Sequence, residues 1–343
     1  MSVIHVYLLG SGLTHYNIAR NLTKKCFRCH VISANSLLRK SRFTWSSTSI
    51  SLEEDENAVL DHLLDLPGHD PSSNVIVPGT DAELLFLDKH RETLESKYVL
   101  CLPGHECLKI TANKFLIQDK LLQSGLKYPH SVCLETAHPS GIELGALHFP
   151  CIVKPIFSNE WKTTESSALV GSEKVIEVED LQALKLACER ISAISDRVIV
   201  QSIIPHKSHE NFSFCSYSDS RGRILHGFVT QKILQHPARY GTAILCQTAD
   251  HPRIAEYGAK VVKALGLSGI AETEIIVDAD TEELYVIEVN PRHWMQHRLS
   301  TRLGANFTLL DIYFRLGQQD RVQELLHHSP VKRNVLWVDD IGY

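Results

Sequence analysis

Acidic side chains alternate with apolar ones in one short segment, residues 271–292 (AETEIIVDADTEELYVIEVNPR). An apolar run at residues 275–277 precedes a polar stretch at 278–283, and a second apolar run follows at 284–289. Two short apolar runs with a polar turn between them predict a β-hairpin. Such a hairpin brings two rows of acidic side chains together, and paired carboxylates are candidates for binding a metal ion.

The faces of this hairpin decide which side chains meet, because side chains alternate between the two faces of a strand. The expected sets are Glu272, Glu274 and Ile276 on the first strand, and Val286, Glu288 and Asn290 on the second. A five-residue turn pairs Asp278 with Leu284 and places Glu274 opposite Glu288. Directly opposed like charges cost roughly 0.2–1 kcal/mol. A divalent cation between them would convert that cost into a gain.

The ligand types on this face indicate which ion would bind. Two carboxylates and an amide supply oxygen ligands, which suit Mg²⁺, and Mg²⁺ commonly binds substrate phosphates as well. The alternative is an amphipathic hairpin whose acids are only hydrated. The apolar second strand, which ends in Glu288-Val289-Asn290-Pro291-Arg292, favours the metal site.

A lysine near the end of an apolar strand is the second candidate for chemistry. Residues 149–155 (FPCIVKP) form a predominantly apolar run in which Lys154 is the one charged residue. A lysine among buried neighbours loses its hydration unless an anion lies beside it. The phosphates of ATP would supply that anion. The alternative is a lysine that protects an edge strand from pairing with other chains.

The elements that position these residues follow from the apolar runs. Residues 1–110 alternate strands and helices, which predicts an open parallel sheet. The expected strands there are 3–9, 30–33, 74–77 and 98–102, and the expected helices are 13–25, 53–66 and 81–96. Further elements are expected as helices at 111–122, 180–194, 254–265 and 303–316, a strand at 198–205, and a hairpin of 212–217 and 224–230. The predicted fold class is α/β, with α+β character in the C-terminal part.

The first strand leads into a glycine-rich turn, Gly10-Ser11-Gly12, which is a feature of dinucleotide-binding domains. The fingerprint G-x-G-x-x-G is incomplete because His15 occupies the third glycine position. No acidic residue ends the second strand to bind a ribose. An NAD(P)-dependent oxidoreductase stays open as an alternative on this turn alone.

Composition excludes other classes of function. The chain has 343 residues, 43% hydrophobic and 22% charged, which is enough for two or three domains or subdomains with their own cores. Its net charge is −5 and it has no basic block, so no nucleic-acid partner is expected. No apolar run is long enough to span a membrane, so no membrane partner is expected.

The cysteines indicate the compartment. The N-terminus reads as a strand rather than a signal peptide, and the nine cysteines are scattered through the chain, which predicts reduced thiols and a cytoplasmic protein. Cys26-x-x-Cys29-His30 formally matches a haem attachment site. That interpretation requires export, which the N-terminus does not support.

Glu274, followed by Glu288-Val289-Asn290-Pro291-Arg292, resembles the metal motif of the ATP-grasp superfamily, in particular its carboxylate–amine ligase (carbamoyl-phosphate-synthase-like) branch. The resemblance implies ATP and two Mg²⁺ ions, with Mn²⁺ as a substitute, and metal binding by Glu274, Glu288 and Asn290. It assigns ATP binding to Lys114, Lys154, Gln201, Ser202, Ile203, Ile204 and Glu210, and catalytic contacts to Lys232, Arg239 and Arg292. Lys114 and Lys154 would bind the phosphates of ATP. The backbone of residues 201–204 would bind adenine, and Glu210 would bind the ribose.

The resemblance covers essentially the whole chain and implies its layout. The expected parts are a pre-ATP-grasp domain at 1–110, a lid subdomain at 111–200, a C-terminal ATP-grasp subdomain at 201–320 and a tail at 321–343. The lid segment 157–164 lacks the glycines of the usual phosphate lid, which leaves its contacts open.

Loops of the first domain are expected to hold the co-substrate. The matching positions are residues 10–14, Ser41-Arg42 and Thr80-Asp81. Arg42 would bind a carboxylate, and Asp81 an amine. The alternative at the third position is that Thr80 or Asp81 only caps the following helix.

The implied function is ATP-dependent ligation, in which a carboxylate is activated as an acyl-phosphate and joined to an amine, with release of ADP and phosphate. The implied partners are small, amino-acid-like carboxylate and amine substrates, and a homodimer is compatible with the resemblance. The glycine-free lid keeps a second hypothesis open, a non-catalytic ATP-binding regulatory protein on the ATP-grasp fold.

Overall fold

The computed structural model describes residues 3–23, 26–66, 70–137, 147–157, 160–161, 166, 169–170, 174–207, 209–327 and 335–338. These residues form three β-sheets with helices packed on them. The first sheet is parallel and the other two are antiparallel, so the predicted α/β architecture with an α+β C-terminal part is confirmed.

The N-terminal sheet contains the predicted βα repeats and one short strand, at 46–48, that was not predicted. Its strands are β1 (Ile4–Leu8), β2 (Phe27–Ile32), β3 (Ser46–Thr48), β4 (Asn74–Ile76) and β5 (Val99–Leu100). Its helices are α1 (Leu13–Asn21), α2 (Ser36–Arg39), α3 (Glu56–Asp65), α4 (Asp81–Lys89), α5 (Arg91–Leu94) and α6 (His105–Ala112). The strands lie in the order β3-β2-β1-β4-β5 and are all parallel. The loops after β1 and β4 therefore lie at the same edge of the sheet.

The lid sheet carries Lys154 on an interior strand. Its elements are α7 (Lys114–Gln123), β6 (Ser131–Glu135), β7 (Cys151–Lys154), β8 (Ile176–Val178), α8 (Leu181–Ile191) and β9 (Arg197–Ser202). The strand order is β6-β9-β7-β8. Because β7 pairs on both sides, the alternative interpretation of Lys154 as protection for an edge strand is wrong.

The C-terminal sheet has six strands. Its elements are β10 (Asn211–Ser218), β11 (Ile224–His236), β12 (Thr242–Ala249), α9 (Pro252–Leu265), β13 (Gly269–Val277), β14 (Leu284–Asn290), α10 (Leu299–Arg302), α11 (Phe307–Arg315), α12 (Gln319–His327) and β15 (Leu336–Val338). The order is β14-β13-β10-β11-β12-β15. Strand β12 was not predicted, and β15 shows that the presumed tail contributes an edge strand to this sheet.

The acidic hairpin forms as predicted, but its register differs from the expected one. The pairs are Val277 with Leu284, Ile276 with Tyr285 and Ile275 with Val286 near the turn, then Glu274 with Glu288, Thr273 with Val289 and Glu272 with Asn290. The predicted pair of Asp278 with Leu284 is wrong because the turn has one residue more. A bulge at Ile287 absorbs that residue. The bulge also turns Val286 away from the acids and into the apolar core.

The space beside the glycine-rich turn after β1 is occupied by the side chain of His15. His15 lies in the first turn of α1, and its imidazole packs against Gly10 so closely that a Cβ there would be 2.5 Å from His15 Cε1. The residue that breaks the dinucleotide fingerprint thus occupies space beside its first glycine. This packing argues against the NAD(P) alternative.

Each of the three sheets packs against clusters of buried apolar side chains. The amphipathic helix α9 packs its buried face on the C-terminal sheet, where Gly258 lies in close contact with Phe214. All nine cysteines are free. Within the described ranges, no helix combines the length and the apolar character needed to cross a membrane.

Candidate active site

A cleft lies where helices α4 and α6 of the N-terminal part, the start of α7 and the end of the acidic hairpin meet. Its lining includes Asp81, Lys114, Tyr128, Phe157, Glu288 and Asn290. Three separate segments of the chain therefore contribute to one site. Each of them carried a residue that the sequence singled out.

The acidic face of the hairpin points its side chains toward a lysine on the neighbouring part of the same sheet. Lys232 on β11 lies with its Nζ 3.1 Å from Glu274 Oε2. Burial opposes the charge on Lys232, but Glu274, together with Glu272 and Glu288, outweighs it and raises the pKa of the lysine. The predicted basic residue and the predicted metal ligand are therefore in direct contact.

The other two acids of this face differ in their tendency to protonate. Burial, reinforced by the charge of Glu274, raises the pKa of Glu272 to about 8. Burial also opposes the charge of Glu288, but the nearby Lys114 and Lys174 outweigh it and lower the pKa of that carboxyl. The pKa shifts of the two carboxyls therefore have opposite directions: the surroundings of Glu272 favour its protonated form, and those of Glu288 favour its ionised form.

Asn290 and Arg292 connect the hairpin to the N-terminal sheet. The Asn290 amide donates to Glu272 Oε2 at 3.2 Å, and its Oδ1 accepts from Arg292 Nη2 at 3.2 Å. Arg292 also binds both carboxylate oxygens of Asp81, at 2.5 and 3.0 Å. Burial opposes the charge of the guanidinium, but Asp81 outweighs it and raises the pKa of Arg292. A bidentate pair of this kind fixes the orientation of both groups.

Lys154 is buried opposite this acidic face without a carboxylate partner. Its Nζ donates to Gln201 Oε1 at 2.8 Å and lies 5.6 Å from the centre of the Tyr128 ring. Burial, with repulsion from Lys114, lowers the pKa of Lys154 to about 7. In the described part of the chain, no carboxylate lies within ion-pair distance of this ammonium group. A lysine in this state binds an incoming anion strongly, because the anion restores its charge.

Lys114 begins α7 beside the same cleft. Asn113 caps this helix by accepting from the Phe115 and Leu116 N–H groups. The Lys114 charge acts on both Lys154 and Glu288. The two predicted phosphate lysines are therefore near enough for the charge of one to act on the other.

The segment predicted to bind adenine, residues 201–204, lies partly in β9 and partly after its end. The Gln201 backbone lies between β6 and β7 in the sheet, and its side chain binds Lys154 and donates to Ser131 Oγ at 2.8 Å. Gln201 thus supports Lys154 instead of offering backbone groups to a ligand. Ser202 ends the strand, and Ile203 and Ile204 follow it.

Glu210 carries a buried oxygen that lacks a hydrogen-bond partner. Its Oε1 lies 3.4 Å from Lys207 Nζ, while Oε2 is buried and unpaired among the described residues. A buried carboxylate oxygen without a partner is rare in folded proteins. The predicted ribose contact would satisfy it.

Arg239 is in a different position from the one its predicted catalytic role requires. It lies in the loop between β11 and β12, its side chain is 66% exposed, and it forms an ion pair of 2.8 Å with Glu177 on β8. Tyr240 also donates to Glu177. Arg239 therefore links this loop to the lid sheet and is not brought to the acidic face.

Sequence reasoning missed one basic residue of the site. Lys174 precedes β8, donates to Thr242 Oγ1 at 2.6 Å and contributes to the lowered pKa of Glu288. No motif marks it, since it lies beyond the lid segment 157–164 that the sequence singled out. The other lid positions singled out, at 158–159 and 162–164, lie outside the described residues.

The co-substrate positions are only partly brought together. Thr80 caps α4 by accepting from the Glu83 N–H, as in the simpler alternative, while Asp81 binds Arg292. Arg42 stacks over Phe43, with its guanidinium carbon 5.0 Å from the ring centre. Asp81 therefore lies at the site, whereas the contact described for Arg42 is with the Phe43 ring.

The donor chemistry of the acidic face fits a hard divalent cation. Carboxylate oxygens of Glu274 and Glu288 and the amide oxygen of Asn290 are the ligand types that Mg²⁺ takes. Within the described residues no group of three or more His, Cys, Asp or Glu side chains is placed to hold a metal ion, and the candidate set here combines two carboxylates with one amide. An ion that entered here would compete with Lys232 and Arg292 for these oxygens.

Comparisons with known proteins agree with this geometry. The ATP-grasp domain family matches residues 111–294, which is more than half of the chain. No curated protein matches the sequence at a significant level.

Solved structures share the fold at low sequence identity. An L-amino acid ligase from Bacillus licheniformis is 20% identical, with 92% of this chain and 75% of that chain covered and a TM-score of 0.67. An N5-carboxyaminoimidazole ribonucleotide synthetase in its ADP complex is 15% identical, with 99% and 82% covered and a TM-score of 0.71. A biotin carboxylase from Campylobacter jejuni is 16% identical, with 92% and 71% covered and a TM-score of 0.69.

The matched range contains the motif that ends β14 and the lysine at the end of β7. The family match includes the lid sheet, most of the C-terminal sheet and both opposed groups of the cleft. The chain therefore belongs to the ATP-grasp family, as its sequence motifs predicted.

Proposed function

We propose that the protein is an ATP-dependent ligase that activates a carboxylate as an acyl-phosphate and joins it to an amine, releasing ADP and phosphate. The observation that carries the proposal is that the site holds two unlike groups, a buried lysine and a set of carboxylates, and that the charge of Glu288 acts on the lysine. Lys154 is buried without a carboxylate, and Glu274 faces Glu288 in the hairpin. Mg·ATP complements both, since its phosphates are anionic and its metal ion is cationic.

The nucleotide would lie between the lid sheet and the C-terminal sheet. Lys114 and Lys154 neutralise its phosphates, and the charge that phosphate restores to Lys154 offsets its burial. The backbone at Ser202, Ile203 and Ile204 hydrogen-bonds adenine. The unpaired carboxylate oxygen of Glu210 accepts a hydrogen bond from the ribose. Gln201 keeps Lys154 in place.

Glu274, Glu288 and Asn290 are the residues that would hold the metal ions. When bound, Mg²⁺ supplies positive charge that screens the phosphate oxygens during transfer. Manganese is expected to substitute, because it accepts the same oxygen ligands. Glu272 positions Asn290 by accepting a hydrogen bond from its amide.

The reaction then needs positioning and charge, and no protein nucleophile. A carboxylate oxygen of the substrate attacks the γ-phosphorus and ADP leaves. The amine next attacks the acyl carbon, and phosphate leaves with the former carboxylate oxygen. Lys232 and Arg292 carry the positive charge that these steps require near the transferred group.

The substrates are proposed to be small and amino-acid-like. The similarity to an L-amino acid ligase motivates amino acids as the first candidates for both the acid and the amine. Arg292 and Asp81 offer one positive and one negative group at the cleft, which suits a carboxylate and an amine. A cytoplasmic location agrees with nine free cysteines, and a homodimer remains part of the proposal.

The proposal is tested by incubating the protein with Mg·ATP and pools of amino acids and small carboxylates, and measuring ADP and phosphate. ADP that depends on a pool supports a ligase, and dividing the pool identifies the substrates. AMP and pyrophosphate would contradict the proposed chemistry. ATP binding without any product from any pool would favour the non-catalytic ATP-binding protein.

A further inference from the structure

A buried histidine–glutamate pair lies beneath the loop that carries Asp81, and no step of the proposed reaction uses it. His15 on α1 and Glu83 on α4 are 2% and 3% exposed, and His15 Nε2 lies 2.8 Å from Glu83 Oε1. The two residues come from different βα units of the N-terminal sheet. Burying two titratable groups in contact requires compensating interactions.

Those interactions are directed to the turn at residues 78–81. Glu83 Oε2 accepts from the Gly79 N–H at 2.8 Å, and Glu83 Oε1 accepts from the Thr80 hydroxyl at 2.9 Å. The Thr80 hydroxyl oxygen in turn accepts from the Glu83 N–H at 3.3 Å. The glutamate thus fixes both the backbone and the side chain of the turn that leads into α4.

Two glycines make room for the imidazole. A Cβ at Gly10 would lie 2.5 Å from His15 Cε1, and a Cβ at Gly79 would lie 2.6 Å from His15 Nε2. These glycines follow β1 and β4, which are neighbouring parallel strands. The His15 imidazole therefore packs between the ends of β1 and β4, next to the turn that Glu83 contacts.

The turn ends at the residue that orients Arg292. Asp81 follows Thr80 directly and binds the guanidinium in a bidentate manner. Arg292 also donates to Asn290 Oδ1. A continuous series of contacts therefore runs from His15 through Glu83 and the turn to Asp81, and from there to the acidic face.

We propose that His15 and Glu83 are positioning residues for the co-substrate. They fix the 78–81 turn so that Asp81 holds the Arg292 guanidinium at the cleft, in the orientation that a substrate carboxylate meets. This inference rests on the proposed ligase function for its kinetic consequence. Its structural consequence, the geometry of the Asp81–Arg292 pair, does not depend on turnover.

The first test is a crystal structure of the His15→Leu variant, with Glu83→Gln as a second variant if the first does not fold. Leucine keeps the apolar volume and removes the nitrogen that contacts Glu83. The expected result is that the 78–81 turn shifts and that the bidentate contact of Asp81 with Arg292 is lost. An unchanged Asp81–Arg292 pair would overturn the proposal, whether or not the protein proves to be a ligase.

Matched controls separate this effect from general destabilisation. His15→Gln keeps an N–H donor for Glu83 and should retain the Asp81–Arg292 pair. Tyr98→Phe removes another buried hydrogen bond of the same sheet, from the Tyr98 hydroxyl to the Leu63 carbonyl at 2.7 Å, and it does not touch the turn. That variant should also retain the pair.

The second test is kinetic and uses whichever amino acid or carboxylate supports ADP release in the pool assay. His15→Leu should raise the KM for that co-substrate roughly tenfold or more, since small displacements of a binding group reduce productive binding strongly. The KM for ATP should change less than about twofold, and His15→Gln should restore most of the loss. Equal changes in both KM values would overturn the positioning role.

Discussion

The two walls of the cleft differ in how their basic side chains are neutralised. On the hairpin wall, formed by β13, β14 and the adjoining Lys232, the cations Lys232 and Arg292 each contact a carboxylate. On the lid wall, formed by β7, β9 and the start of α7, Lys154 contacts an amide oxygen. Burial consequently lowers the pKa of Lys154, while Glu274 and Asp81 outweigh burial and raise the pKa values of Lys232 and Arg292.

This difference indicates what each wall lacks. On the lid wall, Lys154 has no carboxylate at ion-pair distance among the described residues, whereas the hairpin wall holds opposed carboxylates. A ligand that carries both phosphates and a divalent cation would supply negative charge to the lid wall and positive charge to the hairpin wall. The predictions below test whether the two walls respond separately, beginning with the largest effect.

The largest effect is expected at Glu288 on the hairpin wall. Glu288→Gln should reduce ADP formation by roughly a hundredfold to a thousandfold, because the metal ion that would screen the transferred phosphoryl group loses a carboxylate ligand. Steady-state ADP release with a substrate found in the pool assay measures it. Glu282→Gln, at the exposed turn of the same hairpin, is the control and should be nearly normal. Full activity of Glu288→Gln would remove the basis for the metal site.

Lys154 should control nucleotide affinity on the lid wall. Lys154→Met is expected to weaken Mg·ATP binding roughly ten- to hundredfold, since a charge-assisted hydrogen bond to phosphate is lost. Calorimetric titration measures this, with Lys109→Met on the exposed side of α6 as the control. Because the pKa of Lys154 is about 7 without ligand, phosphate binding near pH 8 should also take up a proton. Titrations in buffers of different ionisation enthalpy measure this proton uptake. If the same uptake were found in Lys154→Met, another group would be the one that takes up the proton.

The same lysine should affect stability without ligand. Its pKa is about 7 in the folded protein and 10.5 as the ordinary value, so between these pH values the unfolded chain binds more protons. Stability from this group therefore rises with pH from about 7 to about 10.5. Thermal unfolding across this range should show a shallower rise in Lys154→Met than in the wild type. Identical pH dependences would show that Lys154 is protonated in the folded protein.

Arg239 should give the smallest effect. Arg239→Gln is expected to change ADP formation less than about threefold, because exposed ion pairs contribute little and this one faces Glu177 away from the acidic face. Tyr240, which also contacts Glu177, remains in the variant. A loss comparable to that of Glu288→Gln would restore the catalytic role that the sequence suggested.

Local patterns predicted the parts of the site that depend on one or two strands. The pairing of Glu274 with Glu288 followed from alternation, although the assumed turn was one residue too short and the bulge at Ile287 corrected it. The burial of Lys154 followed from its apolar neighbours. A bulge leaves no reliable mark in the sequence, which is why Val286 was placed on the wrong face.

The contacts between distant segments could not be predicted in this way. His15 was noticed only as the residue that breaks a glycine fingerprint, yet it contacts Glu83, 68 positions away. The position of Arg239 depends on the length of β11, which extends beyond its predicted end to His236. The contribution of Lys174 depends on how the lid sheet meets the C-terminal sheet. Sequence periodicity describes one element at a time and contains no such distances.

The fate of a carboxylate oxygen tests the central claim most directly. The carboxylate substrate identified in the pool assay is labelled with ¹⁸O, and the phosphate released with ADP is analysed by mass spectrometry or ³¹P NMR. Acyl-phosphate chemistry predicts one ¹⁸O atom in each phosphate formed, because the substrate oxygen attacks the γ-phosphorus and leaves with it. Unlabelled phosphate, or label found in AMP, would contradict the proposed mechanism.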